Sequence, residues 1–92
     1  MIDKQDSKKF ALIPRYVVED NRLSMLAKNL YSLINLCSKN GVCVKPNRHF
    51  CEKLGMCSRS IQTGLKELQN QSYISIDPAN SEMEIPRRIF LI

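Results

Sequence analysis

The chain has no apolar run of the kind that exports a protein or crosses a bilayer. Its first ten residues, MIDKQDSKKF, are mostly polar, and its longest hydrophobic stretch, within residues 23–37, is broken by Lys28, Asn29, Ser32 and Asn35. A cytoplasmic protein with no membrane partner is therefore expected. The four cysteines, Cys37, Cys43, Cys51 and Cys57, form no C-x-x-C pair. That spacing is wrong for the usual zinc knuckles even with His49, the one histidine, added, and a reducing cytoplasm argues against a disulfide framework. The cysteines read instead as small buried hydrophobes, and no metal is expected. A glycine-rich phosphate loop, a patterned pair of carboxylates and a nucleophile partner for His49 are all missing. The inventory for general acid–base or metal catalysis is incomplete, so neither an enzyme nor a cofactor is expected.

What the chain does have is an excess of positive charge. Across 92 residues, 14 Lys and Arg stand against 9 Asp and Glu, a formal charge of +5. The length suits one domain with a single modest core, and the charge favours a polyanionic partner over an acidic substrate.

Residues 1–9 are polar and read as a mobile tail, with one folded domain over residues 10–92. In residues 10–18, Pro14 opposes a helix, so the segment is expected to run extended and to cap the core through Phe10, Leu12, Ile13, Tyr16 and Val18. Glu19, Asp20 and Asn21 then turn the chain. Ser24 is a good N-cap for a first long helix with a wide apolar face of Leu26, Ala27, Leu30, Leu33, Ile34 and Cys37, stopped by Asn40-Gly41. Val42-Cys43-Val44 is a short β-branched run able to pair as a strand.

Residues 46–74, PNRHFCEKLGMCSRSIQTGLKELQNQSYI, carry the most information. They lay out two short helices joined by a tight turn containing Gly55, the organisation of a helix-turn-helix. Asn47 is the expected N-cap of the first, with Phe50 and Leu54 as core anchors and Cys51 small enough for close helix approach. Gly55 ends it in a conformation that a Cβ would oppose. Met56 is expected to plug the core, and Cys57 or, with stronger chemistry, Ser58 to cap a second helix running to about residue 71. In that helix Ile61, Leu65 and Leu68 form a buried stripe, while Arg59, Thr63, Lys66 and Asn70 lie opposite, with donors and no carboxylate. Such a face can enter the major groove without repelling the phosphates beside it.

The period then changes. Tyr73-Ile74-Ser75-Ile76 alternates as a strand, residues 77–81 are dense in turn formers, and residues 84–92 return as a second strand that Pro86 marks as an edge. Two strands and a loop make a wing. The fold class is thus α+β, mostly helical: a three-helix core with a small antiparallel β wing.

The whole pattern resembles the winged helix-turn-helix domain at the N-terminus of plasmid and phage replication initiators and replisome organisers of Gram-positive bacteria. The residues that carry the likeness are 10–18 with Ile13-Pro14, Leu23-Ser24, Ala27-Lys28, Leu30-Tyr31, Gly41-Val42-Cys43, Asn47, Leu54-Gly55, Ile61, Leu68, Tyr73-Ile74 and Arg88-Ile89. The helix-turn-helix part is generic to many bacterial regulators; the IP segment leading to LSxxAKxLY tilts the likeness toward replication. Cys57 departs from the common Ser cap, and Gln71-Ser72 from a common Gly. The resemblance implies origin or iteron DNA as ligand, often a homodimer on repeated half-sites, and partners such as a helicase, loader or primase. The residues themselves show no dimer; residues 10–18 and the first long helix are the surfaces such a dimer would use.

From helix position, Arg59, Ser60, Gln62, Thr63 and Lys66 are assigned to base edges and flanking phosphates of double-stranded DNA, with Arg59 the leading base reader. Lys45, Asn47, Arg48 and Lys53 are assigned to phosphates beside the preceding helix, and Arg87 and Arg88 to phosphates along the wing. His49 is expected to be structural, and Tyr31 and Tyr73 to be core-edge aromatics. Three readings follow: an initiator's origin-binding domain, a transcriptional regulator, or a winged helix for protein contacts. The last would favour an apolar or acidic stripe where Arg59, Thr63, Lys66 and Asn70 stand.

Overall fold

Pro14, φ −56° and ψ 145°, sets the chain into a short helical turn, α1 (Arg15–Val18). The computed structural model describes residues 14–92, so the expected tail and the placements of Phe10, Leu12 and Ile13 lie outside the described residues. The extended path expected for Tyr16–Val18 is corrected. Proline is incompatible with a helix interior, but as the residue before the first turn it loses nothing, and its carbonyl accepts from the N–H groups of Val17 and Val18.

After the turn at residues 19–22 comes α2 (Met25–Cys37), capped by Ser24, whose hydroxyl oxygen accepts from the Ala27 N–H at 3.1 Å. Ala27, Leu30, Tyr31 and Ile34 form its buried stripe. The helix stops at Cys37, three residues before the expected Asn40-Gly41 signal. Those two residues have φ 54° and 80° and make a two-residue hairpin turn in which Lys39 and Val42 exchange both backbone hydrogen bonds. Asn-Gly is the sequence such a turn selects, because both central residues need positive φ.

Beyond it run β1 (Val42–Cys43), α3 (Asn47–Leu54), α4 (Ser58–Asn70), β2 (Ile74–Asp77) and β3 (Arg88–Leu91). Gly55, at φ 65°, closes α3, and the Met56 N–H returns to the Cys51 carbonyl. Ser72 does the same at the end of α4 with φ 63°: its own N–H reaches the Gln69 carbonyl and that of Tyr73 reaches Leu68. A serine thus adopts the left-handed cap conformation that usually selects glycine, at a modest conformational cost.

The three strands form one antiparallel sheet in the order β1-β3-β2, with Cys43 opposite Ile89 and Ile76 opposite the same residue from the other side. β3 is therefore the central strand, not an edge. Pro86 precedes its first ladder residue, where no N–H is required, so the proline did not report on the strand's neighbours. One core joins sheet and helices: Val17, Leu23, Leu30, Ile34, Cys43, Phe50, Ile61, Leu68, Ile74 and Ile89 are all buried. Leu54 and Cys51 pack at its margin, whereas Met56 is 43% exposed and does not plug it. The architecture is mostly helical α+β, a helix-turn-helix with a β wing.

α2 and α4 approach closely at Gly64. A Cβ there would meet Leu30 Cδ2 at 2.9 Å and Leu26 Cγ at 3.6 Å. Gly64 shares the inner side of α4 with Ile61, Leu65 and Leu68. The missing side chain is what lets α2 seat against α4 and so fixes the pose of α4 on the domain.

Candidate nucleic-acid interface

The outer face of α4 is built by the burial of its inner one. Ile61, Gly64, Leu65 and Leu68 are buried, and by helical periodicity Arg59, Gln62, Thr63, Lys66, Gln69 and Asn70 emerge into solvent. Among the described residues the side chains of Arg59, Gln62 and Lys66 make no hydrogen bond or ion pair, so their donors are unspent. Ser60 is half-buried, its hydroxyl 3.4 Å from the Cys57 thiol. Thr63 donates its hydroxyl to the Arg59 carbonyl at 3.0 Å. Gln69, not among the assigned residues, is exposed on the same helix.

The one carboxylate in α4 is turned away from this face. Glu67 accepts from both the backbone N–H and the hydroxyl of Ser24, each at 2.9 Å. It thereby neutralises donors at the start of α2 and leaves the outer face of α4 cationic. Alternation alone could not reveal this, since it needs the 43-residue contact between the two helices.

Neither helix of the motif has a side-chain cap. Asn47 is the first residue of α3 and Pro46 occupies the N-cap, while Cys57, not Ser58, is the N-cap of α4. Cys57 is also exposed, against the expectation that all four cysteines are buried; Cys43 is buried and Cys37 and Cys51 half-buried. The Ser60 hydroxyl pulls the Cys57 thiol below its ordinary range, and burial pushes that of Cys37 up. The Cys37 sulfur lies 3.4 Å from His49 Nε2, and the His49 ring packs edge-on to Phe50, a structural placement for the histidine. No group of three or more metal-ligating side chains occurs among the described residues.

The residues assigned to phosphates before and on α3 divide into two sets. Lys45, Arg48 and Lys53 are exposed, with Arg48 only loosely paired to Glu52 at 3.4 Å. Asn47 is different: its side-chain oxygen accepts from Arg87, whose second terminal nitrogen donates to the Lys45 carbonyl at 2.7 Å. Burial lowers the guanidinium pKa of Arg87. Asn47 and Arg87 therefore tie the wing to the start of α3, with the Asn47 oxygen and both terminal nitrogens of Arg87 engaged in that tie.

Arg88 is likewise engaged, with Asp77 at 2.9 Å and over the Phe90 ring at 5.6 Å. At the wing tip the Asn80 side-chain oxygen accepts from the N–H groups of Glu82 and Met83, and Asn80 and Ile85 exchange both backbone bonds. That tip presents Glu82, Met83 and Glu84, all exposed. Arg87 and Arg88, the cations assigned to the wing, stand at its base, each holding a partner within the protein.

Tyr73 sits half-buried at the core edge, whereas Tyr31, expected there too, is buried in the core itself, and the two belong to one aromatic group. Tyr73 stacks on Tyr16 and meets Tyr31 edge-on, ring centroids 5.9 Å apart in both cases. The Tyr73 hydroxyl donates to Asp20 at 2.7 Å.

With the fold and this face described, comparison adds one finding. A family model described as a helix-turn-helix domain matches residues 21–74, from the turn before α2 through α4 to the start of β2. No curated protein and no solved structure matches the chain. No helix among the described residues is long and apolar enough to cross a membrane.

Proposed function

Since this chain belongs to the family of helix-turn-helix domains, we propose that it binds double-stranded DNA sequence-specifically, as the origin-binding domain of a replication initiator. The observation that carries the DNA reading is the outer face of α4: Arg59, Gln62 and Lys66 stand exposed and unspent, and the helix's one carboxylate is withdrawn to Ser24. A face of free donors suits base edges and phosphates, and it is neither the apolar nor the acidic stripe that a winged helix used for protein contacts would favour. Arg59 is the base reader in this account, since a guanidinium can hold guanine O6 and N7 together. Lys66, Lys45, Arg48 and Lys53 hold phosphates and set register. The wing acts by bracing α3 through Arg87 and Asn47 rather than by supplying charge to the backbone.

Replication is favoured over transcriptional regulation by the IP and LSxxAKxLY segments, which resemble replication initiators. In that role the domain marks an origin in the cytoplasm, and the bound protein, as a monomer or homodimer, recruits a helicase, loader or primase. A regulator would use the same face of α4 at a promoter. The protein does no chemistry itself, as the incomplete catalytic inventory of the sequence argues.

Footprinting on DNA from the protein's own replicon separates the roles. Protection confined to an origin or its repeats supports initiation, protection confined to a promoter supports regulation, and none anywhere at low salt overturns the DNA reading.

A further inference from the structure

We propose that Thr63 reads the 5-methyl group of a thymine, and that it does so with its own methyl and not with its hydroxyl. This rests on the reading that α4 enters the major groove.

Thr63 is exposed on the outer face of α4, one turn after Arg59 and just under one turn before Lys66. Its hydroxyl donates to the Arg59 carbonyl at 3.0 Å, within the helix itself. That bond holds χ1 in a rotamer that turns the γ-oxygen back onto the preceding turn, and the methyl takes one of the remaining helix-allowed positions on an exposed residue. The proton is spent on the backbone, which leaves the methyl as the part of the side chain available to a base.

The two flanking side chains, Arg59 and Lys66, carry only donors and select for acceptor-rich base edges. Thr63 between them offers an apolar surface of a few ångströms, and in the major groove one base alone, thymine, presents a matching methyl group. The stripe therefore alternates a guanine-type reader, a methyl reader and a cation. Valine is isosteric with threonine in this rotamer and keeps the methyl in place; serine keeps the hydroxyl and loses the methyl. The two substitutions separate the two ways a threonine can read a base.

The experiment enriches duplexes from a random-sequence library with the full chain. Each thymine of the selected duplex is then replaced in turn by deoxyuridine, which differs only in lacking the methyl, and binding is measured for wild type, Thr63→Val and Thr63→Ser. The inference predicts one thymine whose replacement weakens wild type and Thr63→Val by about fourfold, the effect of one methyl group. Thr63→Ser should bind the unmodified duplex about fourfold more weakly and be indifferent to deoxyuridine there. If no thymine shows this coupling, or if Thr63→Ser keeps the preference and Thr63→Val loses it, the methyl assignment is overturned while DNA binding stands. If the library yields no duplex bound above random DNA, the proposed function fails and the inference with it.

Discussion

Glu67 of α4 holds the backbone N–H and the hydroxyl of Ser24, both at 2.9 Å, while the Ser24 hydroxyl oxygen accepts from Ala27 at the start of α2. A helix N-terminus normally finds its second capping partner three residues further along its own chain. Here that partner comes from the neighbouring helix, so one carboxylate both caps α2 and is removed from the face that would meet DNA. Glu67→Ala should lower unfolding free energy by about 1–2 kcal/mol in urea titrations. Because the carboxylate is held by Ser24 and turned from the proposed DNA face, the same variant should gain no DNA affinity when measured where it is fully folded.

Gly64 sets how α4 sits on α2. Gly64→Ala gains helix propensity of about 1 kcal/mol but drives a Cβ to 2.9 Å from Leu30 Cδ2, in a side chain with no exposed surface. Overpacking of that kind costs about 1–3 kcal/mol. The expected net result is a loss of about 1 kcal/mol for Gly64→Ala. Gly64→Leu should not fold cooperatively, as judged by its thermal transition.

Asp20 predicts the acid limb of stability. Its carboxylate accepts three hydrogen bonds from Arg22 and one from Tyr73. The Arg22 guanidinium, followed by the Tyr73 hydroxyl, holds its pKa well below the usual carboxylate range. A depressed folded-state pKa contributes stability that is present above the unfolded value of about 3.9 and lost as pH falls below it. Asp20→Asn should therefore flatten the decline in urea midpoint between pH 5 and pH 2. At the other end, burial, aided by Tyr16, pushes the Tyr31 hydroxyl up to about 12. A raised pKa favours the folded state below about pH 10 and ceases to do so as pH rises toward 12, so Tyr31→Phe should blunt the alkaline decline.

Cys57 is an exposed N-cap with no side-chain hydrogen bond to the helix backbone and a thiol lowered by Ser60. It should be the first of the four cysteines to react with a thiol-specific reagent, and buried Cys43 the last. Cys57→Ser supplies a better acceptor for the first turn and should stabilise the domain by about 0.5–1 kcal/mol.

Much of this was legible from residue spacing because burial drives it. The stripe Ile61, Leu65 and Leu68 fixed which side of α4 faces out, Ser24 announced its cap, and Gly55 its turn. Other features depend on contacts distant in the chain. Asn47 looks like a cap until Arg87, 40 residues away, takes its side-chain oxygen. Arg87 and Arg88 look like free cations until Lys45, Asn47 and Asp77 are brought beside them. Proline was over-read twice, since Pro14 stands one residue and Pro86 two residues before the element each seemed to disrupt. Gly64 was readable in principle: a glycine on the apolar side of a helix signals close approach.

The central claim, that the outer face of α4 reads DNA, is tested most directly by fluorescence anisotropy. The full chain is titrated against a random duplex and fragments of its own replicon over a salt series, with Arg59→Ala and Lys66→Ala beside wild type. The account predicts one fragment bound well above random DNA. Arg59→Ala should erase mainly that preference, and Lys66→Ala should weaken both duplexes and reduce the salt slope by about one. Equal binding of all duplexes by wild type and both variants, or no binding at low salt, would contradict it.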